Sequence, residues 1–173
     1  MKGNIVPTGR EVFLNNKEFI VSKTDINGRI IYVNREFMRI SGFVEADLLG
    51  KQHNIIRHPD MPRGIFKKLW DVIAKGDECF AYVKNICKNG DHYWVFANVT
   101  PDFNRHDEIV GYFSVRRKPN QQAVDYFAQL YRQLLQAEQQ AGTRGALDAS
   151  SALLNQVIDE QGFDSYESFI LSH

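Results

Sequence analysis

The sequence predicts an α+β fold in which one five-stranded antiparallel sheet carries short helices on its concave face. Asn-Gly pairs at residues 27–28 and 89–90 each lie between apolar, β-branched runs, a strong hairpin signal. Between these two hairpins, apolar residues recur at helical spacing. Two strands, several short helices and three more strands are typical of an antiparallel sheet with helices packed on one face.

The elements are predicted in this order along the chain. Two short helices follow the first hairpin, one around Phe37 and one that begins near Val44 and ends at Gly50. An amphipathic helix covers residues 65–74 and stops at Gly76. The five predicted strands are residues 19–25, 29–34, 79–87, 92–101 and 109–116.

The composition changes after Pro119, so the chain divides into three parts. Residues 1–17 are an N-terminal arm or cap, residues 18–118 form the sheet domain, and residues 119–173 form a helical C-terminal extension. Glycines at residues 142–145 interrupt the helical spacing of the extension. Its helices are too short to be stable alone in water, so they pack on the sheet, on each other or on a partner.

Charge and cysteine content exclude several classes of function. The 173 residues carry a formal net charge of zero, which disfavours nucleic acid and anionic membranes as partners. Cys79 and Cys87 lack the spacing of a zinc site, so neither a metal centre nor a disulfide framework is expected. We find no signal peptide and no apolar run long enough to span a bilayer, and we expect a cytoplasmic protein.

A loop at residues 50–62 combines charge, imidazole and proline. Arg57 offers a planar charged fork, His58 can donate or accept near neutral pH, and Asp60 can orient either one. Pro59 and Pro62 stiffen the loop. Local features leave two interpretations open: the loop is a pocket wall, or Asp60 caps the helix that follows.

Several motifs resemble those of a known family. The strand ending in Tyr32-Val-Asn34 and the run Lys88-Asn-Gly-Asp-His-Tyr-Trp94 are similar to PAS domains. The run His53-Asn-Ile-Ile-Arg-His-Pro-Asp-Met-Pro62 more narrowly resembles the PAS domain of aerotaxis (energy-taxis) receptors. The resemblance covers residues 18–118. It differs at Cys79, where the family tends to have tryptophan.

The resemblance implies a cytoplasmic redox or oxygen sensor that binds FAD non-covalently and signals to a protein partner in trans. It implies no catalytic residues, and PAS domains often form homodimers. Arg57 would hold the pyrophosphate, and strand residues facing the cavity would meet the flavin ring. The implied FAD-site residues are Asn34, Ile55, Arg57, His58, Asp60, Trp70, Asn85 and Trp94.

Other interpretations stay open at this stage. Asn34 is equally suited to cap the following helix, and Trp70 and Trp94 are by default core residues. Heme is the rival cofactor, with His53 or His58 as axial ligand. A cofactor-free protein-interaction module is the alternative from another class. No hydrolase, kinase or nucleotide-binding motif supports an enzyme.

Overall fold

A computed structural model describes residues 5–173 as a five-stranded antiparallel sheet with helices around it. The strand order is β2-β1-β5-β4-β3, and every neighbouring pair is antiparallel. The strands are β1 (Ile20–Asp25), β2 (Ile30–Val33), β3 (Cys79–Ile86), β4 (His92–Phe103) and β5 (Ile109–Arg117). The predicted fold class is confirmed.

Three helices and a 3-10 turn lie between the two hairpins. They are α1 (Arg35–Ser41), α2 (Glu45–Leu48), the 3-10 turn (His53–Ile56) and α3 (Arg63–Ile73). Gly42 ends α1 in the left-handed region, at φ 70°, which glycine adopts without steric penalty. The amphipathic helix predicted over residues 65–74 is α3, and it packs its apolar side over the sheet.

The pleat separates the strand residues into two faces. Successive side chains of a strand point to opposite sides, so Val83 and Asn85 share the concave face and Tyr82 and Lys84 the outer face. The register pairs Lys84 with Trp94, so this tryptophan also belongs to the outer face. The two faces therefore carry different chemistry, although they come from the same strands.

The C-terminal extension is helical and packs at the β3 side of the sheet. It contains α4 (Gln121–Glu160) and α5 (Tyr166–Leu171). Gly142, at φ 67°, breaks α4 into two helices, which we call the C-terminal hairpin (residues 121–160). Its first helix covers the outer face, where Phe127 stacks on Tyr82 with ring centroids 4.4 Å apart.

The N-terminal arm, described from residue 5, runs beside the turn between β3 and β4. Glu11 bridges to His92, and Arg10 donates two hydrogen bonds to one carboxylate oxygen of Asp91. Residues 1–4 of the predicted arm lie outside the described residues. Within residues 5–173, none of the helices has both the length and the apolar character needed to cross a bilayer.

Candidate functional site

A cavity of about 190 Å³ lies between the concave face of the sheet, α3 and the loop before α3. The α3 side is largely apolar, with Phe66, Leu69 and Ile73 among its residues. The sheet side is mixed: β1, β3 and β5 send hydrogen-bonding side chains inward, which we call the polar wall, beside Val83, Ala97 and Val99. One apolar wall facing one polar wall is the arrangement expected of a small-molecule site.

Arg116 is the centre of the polar wall. Only 5% of the residue is exposed, and its Nη2 donates to Ser22 Oγ at 2.9 Å and to His53 Nε2 at 2.7 Å. Burial lowers the pKa of this guanidinium to about 10, so it remains a cation at neutral pH. It has no carboxylate partner among the described residues.

His53 is held as a neutral acceptor beside this cation. Its Nε2 receives the Arg116 hydrogen bond and lies 3.1 Å from Ser22 Oγ. Burial, and then the charge of Arg116, lowers the His53 pKa from its ordinary 6.5 to about 3. The imidazole is therefore uncharged at neutral pH.

Several polar atoms of this wall lack partners among residues 5–173. Arg116 Nη1, Ser114 Oγ and Asn85 Nδ2 are buried, line the cavity and have no hydrogen bond within the chain. Tyr93 Oη, buried on the same face, is also without one. An unsatisfied buried polar group costs roughly 1–3 kcal/mol. Such a cluster at a cavity fits a site built for a ligand with complementary polar atoms.

The rim of the cavity is aromatic. Trp70 packs edge-on against Tyr112, with ring centroids 5.2 Å apart, and is 41% exposed. Gly28, in the turn between β1 and β2, completes this rim at φ 75°. A Cβ at Gly28 would lie 3.4 Å from both the Trp70 ring and Gln52 Oε1, so the glycine leaves just enough room for these side chains.

Arg57 lines the cavity from the loop before α3. Its Nη2 donates to the Met61 carbonyl oxygen at 2.7 Å, and its guanidinium lies 4.3 Å from the centre of the Phe66 ring. Its backbone is bridged to that of Asn85 on β3. Of the eight residues implied by the resemblance, Arg57, Trp70 and Asn85 line the cavity.

Asn34 does not line the cavity. Its Oδ1 accepts from the backbone N–H groups of Phe37 and Val21, both at 3.0 Å, and its Nδ2 donates to the Phe19 carbonyl oxygen. These bonds cap α1 and tie it to β1. Asn34 therefore has the structural role that the sequence left open, and its assignment to the FAD site stays a prediction.

His58 and Asp60 also lie outside the cavity lining. His58 Nδ1 accepts from the Asp60 backbone N–H at 3.1 Å, and its ring packs edge-on against His92. Burial, followed by the charge of Lys84, lowers the His58 pKa to about 4. The exposed Asp60 carboxylate pairs with Lys84 at 2.6 Å. Both residues are turned to local partners, so their assignment to the FAD site gains no support from the cavity lining and stays a prediction.

Two further assignments are wrong in position. Trp94 was expected to face the cavity, but it lies on the outer face, where its ring is 6.0 Å from that of Tyr131. Ile55, in the 3-10 turn, packs at the edge of the core and does not line the cavity, whereas Ile56 does.

Both cysteines are buried and free. Burial raises the pKa of each thiol to about 12, so neither is a reactive thiolate at neutral pH. Cys79 does not line the cavity. No group of three potential metal ligands occurs among the described residues.

Sequence reasoning missed most of the polar wall. His53 was considered only as a heme ligand, and Ser22, Ser114 and Arg116 were not singled out. The available signal was alternation in the last strand, where Tyr112, Ser114 and Arg116 occupy every second position.

Comparison with known proteins agrees with this geometry. A family model described as the PAS fold matches residues 30–116, half of the chain. The aerotaxis receptor of Escherichia coli (strain K12) is 39% identical over 115 residues, which are 66% of this chain and 22% of the receptor. A nitrogen fixation regulatory protein of Klebsiella oxytoca is 28% identical over 97 residues, 56% of this chain and 20% of that protein. The chain thus spans about a fifth of these relatives.

Solved structures with the same fold include light-oxygen-voltage domains. One, described with a flavin analogue, superimposes with a TM-score of 0.56 at 18% identity, covering 64% of this chain and 83% of that one. The light state of the Aureochrome1 blue-light photoreceptor domain also has a TM-score of 0.56, at 21% identity, covering 68% and 90%. These likenesses show the fold alone, and the match over residues 30–116 shows the family: the chain belongs to the PAS family.

Proposed function

We propose that this PAS domain binds FAD non-covalently in its cavity and relays the redox state of the flavin to a signalling protein partner. The observation that carries the proposal is the polar wall, where Arg116 Nη1, Ser114 Oγ and Asn85 Nδ2 are buried without partners beside apolar side chains. A flavin ring has this complementary character, with polar atoms along one edge and flat apolar faces.

The size of the cavity limits how FAD would be held. At about 190 Å³ it is smaller than the roughly 300–1,000 Å³ of pockets that enclose drug-sized ligands. We therefore propose that the cavity encloses only the ring end of FAD, between α3 and the sheet. Arg57 is partly exposed at the same cavity, so its guanidinium is available to the phosphates that extend outward.

Two residues of the polar wall have specific roles in the proposal. A flavin supplies reversible oxidation and reduction at its ring. Arg116 fixes a positive charge in a dry site, which favours a ring that carries added negative charge. Asn85 holds a free amide N–H for the ring, and its backbone is bridged to that of Arg57, so a shift of this part of β3 would move the loop before α3.

Known relatives support the flavin proposal. The chain is related to an aerotaxis receptor, and a domain of the same fold has been solved with a flavin analogue. Heme is less well supported by the geometry, because the cavity histidine, His53, already uses Nε2 to accept from Arg116. We further propose a cytoplasmic homodimer that has no enzymatic activity and signals in trans without nucleic acid.

The absorption spectrum of the purified protein tests the proposal directly. We expect a yellow protein with the two flavin bands, and apoprotein that regains them on titration with FAD. A Soret band would show that the bound cofactor is heme and would contradict the FAD proposal. A colourless protein that neither FAD nor heme reconstitutes would leave the cofactor-free interaction module in its place.

The variant Arg116→Met makes the test residue-specific. Loss of charged hydrogen bonds worth roughly 1.5–3 kcal/mol should weaken FAD binding about 10- to 100-fold. The apoprotein should not lose stability to the same extent, because the variant also removes a buried cation that has no carboxylate partner. Arg117→Met is the matched control, since Arg117 lies on the outer face above Phe96. Equal FAD affinity in both variants would contradict the proposal.

A further inference from the structure

The first turn of α3 has no cap of its own and is held by the C-terminal hairpin. Pro62 precedes the helix and supplies no side-chain acceptor. Instead, the Arg63 N–H donates to Glu138 Oε1 at 2.5 Å, and the Gly64 N–H donates to Ser150 Oγ at 3.2 Å and, at 3.4 Å, to Glu138. Each helix of the hairpin thus contributes one acceptor to backbone groups that would otherwise be unsatisfied.

This contact is tight as well as polar. Glu138 is 8% exposed and Ser150 is fully buried. A Cβ at Gly64 would lie 2.7 Å from Ser150 Oγ and 3.1 Å from the backbone nitrogen of Ser151. The start of α3 therefore touches the backbone of the hairpin, and neither element can shift without moving the other.

The helix held in this way is the apolar wall of the cavity. Phe66 and Trp70, on successive turns of α3, line the cavity. Arg57 stacks on Phe66, and the carboxylate of Glu138 acts electrostatically on the same guanidinium. A path of direct contacts thus runs from the cavity through α3 to the hairpin, and Arg57 is linked to Glu138 only by charge.

We propose that Glu138 and Ser150 are positioning residues of the cavity, so that ligand binding and docking of the hairpin are energetically linked. The proposal rests on the proposed function for the identity of the ligand. Linkage is reciprocal: a ligand that draws α3 toward the sheet strengthens the hairpin contact, and a partner that displaces the hairpin weakens ligand binding. Both residues lie beyond the family match at residues 30–116.

Glu138→Ala in the full chain tests the linkage. We expect amide exchange at Arg63 and Gly64 to become roughly tenfold faster, because both N–H groups lose an acceptor. FAD affinity should fall at least threefold, since the wall is less ordered. Glu138→Gln keeps an acceptor oxygen and should restore both properties. Glu160→Ala, which changes an exposed glutamate of the second helix of the same hairpin, is the matched control.

A second readout does not depend on FAD. The chain has two tryptophans, so Trp94→Phe leaves Trp70 at the cavity rim as the sole tryptophan, whose fluorescence can be excited selectively. In apoprotein of this background, Glu138→Ala should increase acrylamide quenching of Trp70, and Glu160→Ala should not. If wild-type protein binds no FAD, the proposed function fails while this measurement still decides the positioning role.

The outcomes separate clearly. Exchange at Arg63 and quenching of Trp70 that equal the control overturn the positioning role, even in a yellow protein. If Glu138→Ala does not fold, Ser150→Ala is measured in the same way. Faster exchange is then expected at Gly64 but not at Arg63, because Ser150 Oγ is the nearer of the two acceptors of the Gly64 N–H and does not contact that of Arg63. No change at Gly64 or Trp70 in that variant would also overturn the proposal.

Discussion

Two polar residues of the loop before α3 differ from three polar residues of the strands in whether they find partners within the chain. In the loop, His58 accepts from the Asp60 backbone N–H, the Asp60 carboxylate pairs with Lys84, and neither residue lines the cavity. Asn85, Ser114 and Arg116 of the strands keep buried polar atoms unpaired at the cavity. A loop side chain can turn toward any nearby partner, whereas the pleat fixes the direction of a strand side chain. Strand polarity is therefore the better guide to the ligand.

The two tryptophans give the sharpest test of this difference. Trp94→Ala should lower the free energy of unfolding by about 3 kcal/mol, because it leaves a hole against Tyr131 on the outer face. FAD affinity should not change. Trp70→Ala, at the exposed rim, should weaken FAD binding with a smaller loss of stability. Urea unfolding and FAD titration of both variants measure this, and the reverse pattern would show that the two faces are misassigned.

Asn34 and Asn85 should show the same difference between structural and cavity residues, with smaller changes in stability than the tryptophans. Asn34→Ala removes a helix cap, one hydrogen bond to β1 and one to the residue before it, so we expect about 2 kcal/mol of destabilisation and unchanged FAD affinity. Asn85→Ala removes an unpaired amide and should weaken FAD binding while stability stays within about 1 kcal/mol of wild type. Weaker FAD binding by folded Asn34→Ala protein would return Asn34 to the site.

The smallest predicted effect is a pH dependence caused by His53. Its pKa is near 3 when folded and near 6.5 in the unfolded chain, so on acidification the unfolded chain takes up the proton first. Between pH 7.5 and 5.5 this should remove about 1.4 kcal/mol of stability. The His53→Gln apoprotein should lose that part of the pH dependence, and His106→Gln, exposed in a loop, should retain it. Equal slopes in the two variants would contradict the assignment.

The fold could be predicted because its signals are local. The two Asn-Gly turns and the helical spacing of α3 depend on a few neighbouring residues, and the structure has each of these elements. The interruption at Gly142 is equally local, since it needs only a residue that tolerates positive φ. Which surface the C-terminal hairpin covers depends on contacts from Glu138 to Arg63, which no local pattern reveals.

The site was only partly predictable, because it depends on register and on distant partners. Trp94 could be placed only by knowing that it pairs with Lys84, a neighbour of Asn85 on the opposite face. Arg116 looked like an ordinary charge at the end of a strand, and its burial follows from Phe37 and His53 of other elements. Arg57 and Trp70 were found because they lie on elements whose boundaries were correct.

The two ends of the C-terminal extension are joined by a hydrogen bond, and this has a practical consequence. Asn120, the residue before α4, donates through Nδ2 to the carbonyl oxygen of His173 at 2.7 Å. The two ends of the helical segment between them therefore lie next to each other, so the segment is attached to the sheet domain at one place. Grafting a different helical pair there, with an equivalent of Glu138, would offer a route to change the surface of the extension without redesigning the cavity.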